Sequence, residues 1–356
     1  MRFLGLATLL SLGFATPLWA HVKWFSDFTF RDQPRTVWQV LTPAFFVLAT
    51  LSVLVVASLV PLDGWLRERG WYRRVNDWLT AREGQSRLVM RVGTAMVLLL
   101  AWQADLVLVP DLPIPAAWVG WFEFLLAALL LFEATSAIAG VGLLLLFALG
   151  VSEVGIYYML DYALVLGVGY YLAVTGARQA RLAASGLPAL YLTVGFSLCW
   201  VALEKLVWPE WGLYLLQQNP ALSLGLDIRF FLIAAAFVEF CLGYLLIINL
   251  LQRPMALVIT LTFFLTTLVF GKKEVIGHTL IHASLIVFLL SGPGTVFKPP
   301  IALHRKLWLR SLFAGVNLAV FLAILLPLYA AGAEAMHLRA MHGDDPAAVA
   351  VPTARR

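Results

Sequence analysis

Apolar runs long enough to cross a bilayer recur along most of this chain, and no stretch between them could build a water-soluble core. The runs fall at about 38–60, 91–109, 116–134, 137–151, 155–175, 188–207, 228–250, 254–271, 275–292 and 309–331. About 20 apolar residues cover the hydrocarbon core as a helix. Within lipid the backbone must satisfy its own hydrogen bonds, so each run reads as a helix. Of the 356 residues, 62% are hydrophobic and only 13% are charged, and the mean hydropathy is +0.88. Too little polar surface remains to cover a soluble domain of this size. The expectation is an all-α polytopic membrane helix bundle of about ten transmembrane helices.

Charge placement orients the bundle. Arg67, Arg69, Arg73, Arg74, Arg82, Arg87 and Arg91 crowd the segment after the first run, and positively charged loops stay on the cytoplasmic side. Trp65, Trp71, Tyr72 and Trp78 lay this loop on the membrane surface as an amphipathic helix. Arg178, Arg181, Arg253 and the cluster His304, Arg305, Lys306, Arg310 mark further inside loops. Lys272 and Lys273 fall outside by this count. The 25 basic residues against 20 acidic ones therefore belong to topology. No basic tail, zinc pattern or RNA-binding signature points to nucleic acid. Cys199 and Cys241 sit in separate apolar runs and read as buried thiols, without a disulfide framework.

Residues 1–20 read as a secretory signal ending Leu18-Trp19-Ala20, which places the protein in a bacterial inner membrane with both termini periplasmic. Cleavage there makes His21 the mature terminus, where amine and imidazole together suit copper. Residues 21–37 form a periplasmic lead whose aromatics are expected at the interface. The first crossing and its basic loop occupy 38–90, and the last crossing 309–331. The periplasmic tail, 332–356, repeats Met-His at 336–337 and 341–342, a weak copper-capture pattern beside the plainer reading of a solvated end.

Inside the apolar sequence, the stretch from Gly271 to Gly292 stands out. It carries Lys272, Lys273, Glu274, His278 and His282, and ionisable groups at that depth point to function. Glu274, His278 and His282 are four apart, on one helix face. An earlier stretch, Glu153 to Asp161, echoes it. Glu153 laid on Glu274 puts Tyr157 on His278 and Asp161 on His282. Glu123 in FEFLLAALLLF likewise matches Glu239 in VEFCLGYLLII. Four runs within 91–177 and four within 186–292 both start inside, so the chain reads as two parallel four-helix repeats.

The second repeat carries Tyr191-Leu-Thr-Val-Gly-Phe running to Glu204-Lys205-Leu206, then Phe237-Val-Glu239, Gly243 and Arg253-Pro254. Over roughly 100 residues these resemble the DoxX/DoxD-like integral membrane family. The first repeat matches faintly, so the whole would be a tandem of that unit. The pattern departs where small residues usually precede the lysine, and Asn249 stands near the place of a glycine before the basic turn. The resemblance implies a four-helix unit and a link to oxidoreductases, one branch passing electrons from thiosulfate to quinone.

Three functional readings follow. In the first, the chain is an inner-membrane subunit of a quinone-linked oxidoreductase, with a sulfur donor and a redox partner subunit. Asp161, Glu239, Glu274, His278 and His282 would handle protons, and Lys205, Arg229, Lys272 and Lys273 would attract an anion. No haem or iron–sulfur cysteine set is present to carry electrons. In the second, the chain is a transporter or copper-handling protein, with His21, His278 and His282 as ligands. In the third, it is a non-catalytic assembly partner. The plainer reading of the same residues is a polar glue, with Glu239 on Lys205 or Arg229 and Asp161 on His282.

Overall fold

Thr42 starts the first long helix. Its hydroxyl accepts from Phe45 N at 3.3 Å, and Pro43 takes the first helical position, where a missing N–H costs nothing. The computed structural model describes residues 22–26, 28–294, 298 and 300–343, and the side chains at 266, 268–270 and 272 are outside that description. The expected signal, His21 and residues 344–356 of the tail also lie outside it.

The helices are α1 (Pro43–Arg67), α2 (Gly70–Thr80), α3 (Ser86–Gln103), α4 (Ala117–Leu129) and α5 (Ser136–Val154). A bent pair follows, α6 (Ile156–Tyr162) and α7 (Leu164–Val174), turned by 64° at its break. Then come α8 (Ala180–Val207), α9 (Pro209–Gln218), α10 (Ile228–Ile247), α11 (Gln252–Phe270), α12 (Lys272–Ser291) and α13 (Leu307–Met341). The described residues hold no strand, only one bridge between Leu106 and Pro113.

Six of these helices (α1, α5, α8, α10, α12 and α13) are long and apolar enough to cross a membrane, or seven if the bent pair is one span. Only 17% of the apolar window of α1 is buried within the chain. Leu51, Leu54 and Val55 on α1 face outward, as do Val320, Ile324 and Leu328 on α13. An apolar belt that wide is unsuited to water and suited to lipid. The protein is therefore a multi-pass membrane helix bundle.

Packing follows a reciprocal scheme. Within 86–174, α3 packs on α4, α4 on α5, and α5 on α7; within 180–291, α8 packs on α10, α10 on α11, and α11 on α12. Between the groups, α3 packs on α12 and α7 on α8. Small residues allow the close crossings. Gly195 and Gly243 bring α8 and α10 together, each placing its carbonyl 2.5 Å from where the other's Cβ would be. Gly140 and Gly169 do the same for α5 and α7. The pair α1 and α13 packs against the side of α10 and α8.

The arginine-rich end is tied down by Arg253. Its guanidinium donates to Asn76 and Thr80 on α2 and to the carbonyls of Leu289 and Leu290 near the end of α12. The lead differs from its expected place at the interface. Val22, Lys23, Trp24, Phe28 and Phe30 are all buried. The last helix also runs past 331 to Met341, and His337 Nδ1 lies 2.9 Å from the Phe30 carbonyl. The end of α13 thus clamps the lead. Met336 packs in the core, so the first Met-His pair is structural.

Candidate functional site

The lead brings a lysine to the centre of the bundle. Residues Val22–Trp24 form one 3-10 turn, and Lys23 Nζ lies 2.5 Å from Asp161 Oδ2 and 3.1 Å from Glu204 Oε2. All three side chains are 1% exposed. Asp161 comes from the break between α6 and α7. Interrupted helices of this kind carry polar groups at depth because surrounding protein satisfies the freed backbone. Here Ser197 on α8 donates to the Asp161 carbonyl. Burial by itself would lower the pKa of Lys23, but Asp161 and Glu204 more than offset it and hold the ammonium above the ordinary lysine value.

A second branch leaves the same turn. Trp24 Nε1 donates to the Tyr162 hydroxyl at 3.0 Å. Tyr162 and Tyr158 both donate to the Asp111 carboxylate, at 2.7 and 2.6 Å. Asp111 lies in the loop between α3 and α4. Burial raises its carboxyl above the ordinary range, against the pull of the two tyrosine donors. The other face of Trp24 meets His278, with ring centroids 5.2 Å apart. Gly277 permits this, since a Cβ there would overlap the indole. Lys273 Nζ reaches the Trp24 carbonyl at 3.1 Å and holds the turn from the α12 side.

On α12 the expected row is present as a row. His278 Nδ1 is 2.5 Å from Glu274 Oε2, and the His278 ring stacks on Phe263 at 4.3 Å. His282 lies one turn on, between Phe263 and Phe264. Glu239 pairs with Lys205 at 2.6 Å, one residue along α8 from Glu204. Lys23, Asp161 and Glu204 thus form one buried ionic group, Lys205 and Glu239 a second pair, and Trp24 packs beside Lys23 against His278 and its partner Glu274.

Comparison with protein-family models, curated proteins and solved structures returns no match.

Several expected partnerships are different. Asp161 engages Lys23, which also pairs with Glu204, and not His282. Glu153 is exposed while Glu274 is buried, so the gap-free echo aligned residues in unlike surroundings. Arg229 is exposed and lines an outer cleft with Lys205 and Arg35. The Lys272 side chain lies outside the described residues. Glu123 accepts the Leu108 N–H at 2.9 Å and pins the loop before α4. The residues that sequence reasoning passed over are Lys23, Trp24, Asp111 and Tyr162. Their one signal is a charge and an indole in the lead, which looks the same whether the segment lies on the membrane or inside the bundle.

The site sets limits on what it can hold. The void beside Tyr162, Ser197, Glu239 and His278 has a volume of about 30 Å³, which suits a water and not a quinone ring. Among the described residues, no three His, Cys, Asp or Glu converge to hold a metal ion. The His278 and His282 rings are nearly perpendicular at 6.3 Å, and Glu274 already engages His278. His21, the third expected copper ligand, lies outside the described residues. What it can do is hold and exchange protons among closely spaced acids, bases and hydroxyls.

Proposed function

We propose that this chain is a proton-exchanging membrane subunit of a quinone-linked oxidoreductase, the role that the DoxX-like resemblance implies. The observation that carries the reading is Lys23 held between Asp161 and Glu204. One ammonium facing two carboxylates balances its charge only when one of them holds a proton. A proton can pass from one to the other through Nζ, which gives one of its own protons to the ionised carboxylate and takes one from the protonated carboxyl. Trp24 joins this region to Tyr162 by a hydrogen bond and packs its ring on His278 of α12. Quinone reduction consumes two protons with two electrons. The electrons and the ring chemistry belong to a redox partner subunit, since the central void is too small for the ring. The chain's own residues hold, orient and exchange protons.

The same reading includes ten crossings, α1, α3, α4, α5, α6–α7, α8, α10, α11, α12 and α13, in a bacterial inner membrane with both termini periplasmic. The four from α3 to α7 and the four from α8 to α12 are parallel repeats. Their reciprocal packing supports this, because the first helix of each set packs on the last of the other. A shared register supports it too. A Cβ at Gly167 would meet Thr193, and a Cβ at Gly93 would meet Ala283. The same offset of 116 residues separates Gly167 from Ala283, Glu123 from Glu239 and Tyr162 from His278. Trp24 then lies between two equivalent positions, hydrogen-bonded to one and packed on the other.

The test is quinone reduction in membranes carrying the chain and its co-purifying partners, with thiosulfate as donor and a short-chain quinone as acceptor. Asp161→Asn and Glu204→Gln are each expected to slow the reaction by about 100-fold or more, the low end of what a positioned proton-transfer group contributes, with unchanged insertion. Full rates in both variants would remove the triad from the reaction. A complex that lacks thiosulfate-dependent quinone reduction altogether would overturn the oxidoreductase assignment.

A further inference from the structure

On one flank of the bundle two clefts abut, the outer one lined by the lead, α8, α9 and α10 and the inner one by α1, α10 and α13. The outer cleft, about 450 Å³, is lined by Arg35, Gln39, Lys205, Pro209 and Arg229 among others. The inner one, about 490 Å³, is almost wholly apolar, with Phe45, Ala49, Val53, Phe240 and Leu322 in its walls. The segment from Val37 to Thr42 contributes to both. So does α10. Arg229 and Ile233 face the outer cleft, and Phe237 and Cys241 face the inner one. These residues are four apart, so one face of one helix runs from the basic cleft into the apolar groove.

We propose that this flank binds a phospholipid with an anionic headgroup, its phosphate in the outer cleft and an acyl chain in the groove. Charge complementarity selects the head. Lys205 is already matched by Glu239. The carboxylate nearest Arg35 is Glu210, at 4.0 Å and largely exposed. Asp227, two residues before Arg229, is occupied in capping α10 through Phe230 N at 2.9 Å. Among the described residues Arg229 makes no ion pair. Two guanidiniums at the rim are therefore left to a ligand, and the planar fork of arginine suits phosphate. The groove selects the tail. From Arg229 to Cys241 the helix advances about 18 Å at 1.5 Å per residue, comparable to one leaflet of a hydrocarbon core about 30 Å thick. The Phe45 and Phe237 rings, 5.1 Å apart, mark the junction of head and tail. This inference does not depend on the proposed redox role.

Melting of the purified chain in detergent tests it, with dioctanoyl phosphatidylglycerol, dioctanoyl phosphatidylcholine, inorganic phosphate or a short-chain quinone added at equal concentration. Phosphatidylglycerol is expected to raise the Tm by about 4 °C or more, as a ligand present far above its dissociation constant does. The other three should do much less. Arg35→Gln combined with Arg229→Gln should abolish the rise, and Ala49→Trp, which fills the groove, should abolish it separately. Should either variant fail to fold, native mass spectrometry of the unmodified chain decides, since it should retain anionic phospholipid in preference to the zwitterionic one. Equal stabilisation by phosphatidylcholine or the quinone would overturn the headgroup assignment. Equal stabilisation by phosphate would overturn the groove. A wild-type response in the double arginine variant would overturn both.

Discussion

Lys23 holds two carboxylates that no other cation approaches at ion-pair distance among the described residues. Removing one member of a buried ion group leaves the others uncompensated, which costs about 3–5 kcal/mol. Lys23→Met should therefore destabilise the protein by about that much in a detergent unfolding titration, and the triple variant Lys23→Met, Asp161→Asn, Glu204→Gln should recover most of the loss. Failure of the triple to recover would mean that lysine packing, with its ammonium 4.7 Å from the Tyr158 ring centre, outweighs its charge. The ammonium's raised pKa means its contribution is fully present below the ordinary lysine value and lost only above it. Asp111 has the opposite consequence. Its carboxyl is raised by burial, so the folded state holds that proton more tightly than the unfolded one, and stability falls as pH rises through the window above the ordinary carboxylate value. Melting curves taken from neutral pH down toward the ordinary carboxylate value should show wild type gaining on Asp111→Asn as pH falls. A constant difference would show that the two tyrosine donors offset the burial fully.

At the scale of elements, the decisive features are close crossings and one inserted turn. Gly277 faces the Trp24 indole and Gly195 faces the Gly243 backbone. Gly195→Leu would push α8 from α10 and break the Lys205–Glu239 pair, 2.6 Å long. Overpacking usually costs about 1–3 kcal/mol, and here a charge pair is lost as well. The expected result is a Tm drop larger than that of Gly64→Leu on α1, where a side chain would meet nothing within 4 Å. Equal losses would show that the crossing tolerates repacking. The all-helical, membrane-crossing character was legible in the sequence, because apolar runs report it directly; against about ten expected runs, six or seven helices are long and apolar enough to cross. The insertion of the lead was not, since its short aromatic pattern is compatible with either an interface or a core. The row Glu274, His278, His282 was legible from its spacing of four. Its partners were not, because which helix faces which depends on glycine crossings far away in the chain.

For the whole molecule, the proposed orientation predicts which ends of the helices meet which solvent. In a variant lacking Cys199 and Cys241, a single cysteine at Arg73 should react with a membrane-impermeant reagent only after the cytoplasmic face is opened. One at Trp118, 61% exposed at the far end of the bundle, should react in intact cells. The reverse pattern would invert the protein, and labelling of both sites in intact cells would break the crossing count. The arrangement also explains why the ionic group lies where it does. Both sets of four helices, the lead and the end of α13 converge on one region, so charged side chains there can face one another instead of lipid.

Sequence alone determined that the chain spans a membrane as helices, where its basic end lies, and which side chains are too polar to face lipid. Those properties depend on local composition and period, which each segment carries with it. Tertiary structure decided the pairing of charges. Lys23 meets Asp161 and Glu204 across 138 and 181 residues of chain, and only the folded backbone, with its broken helix and glycine contacts, sets such distances.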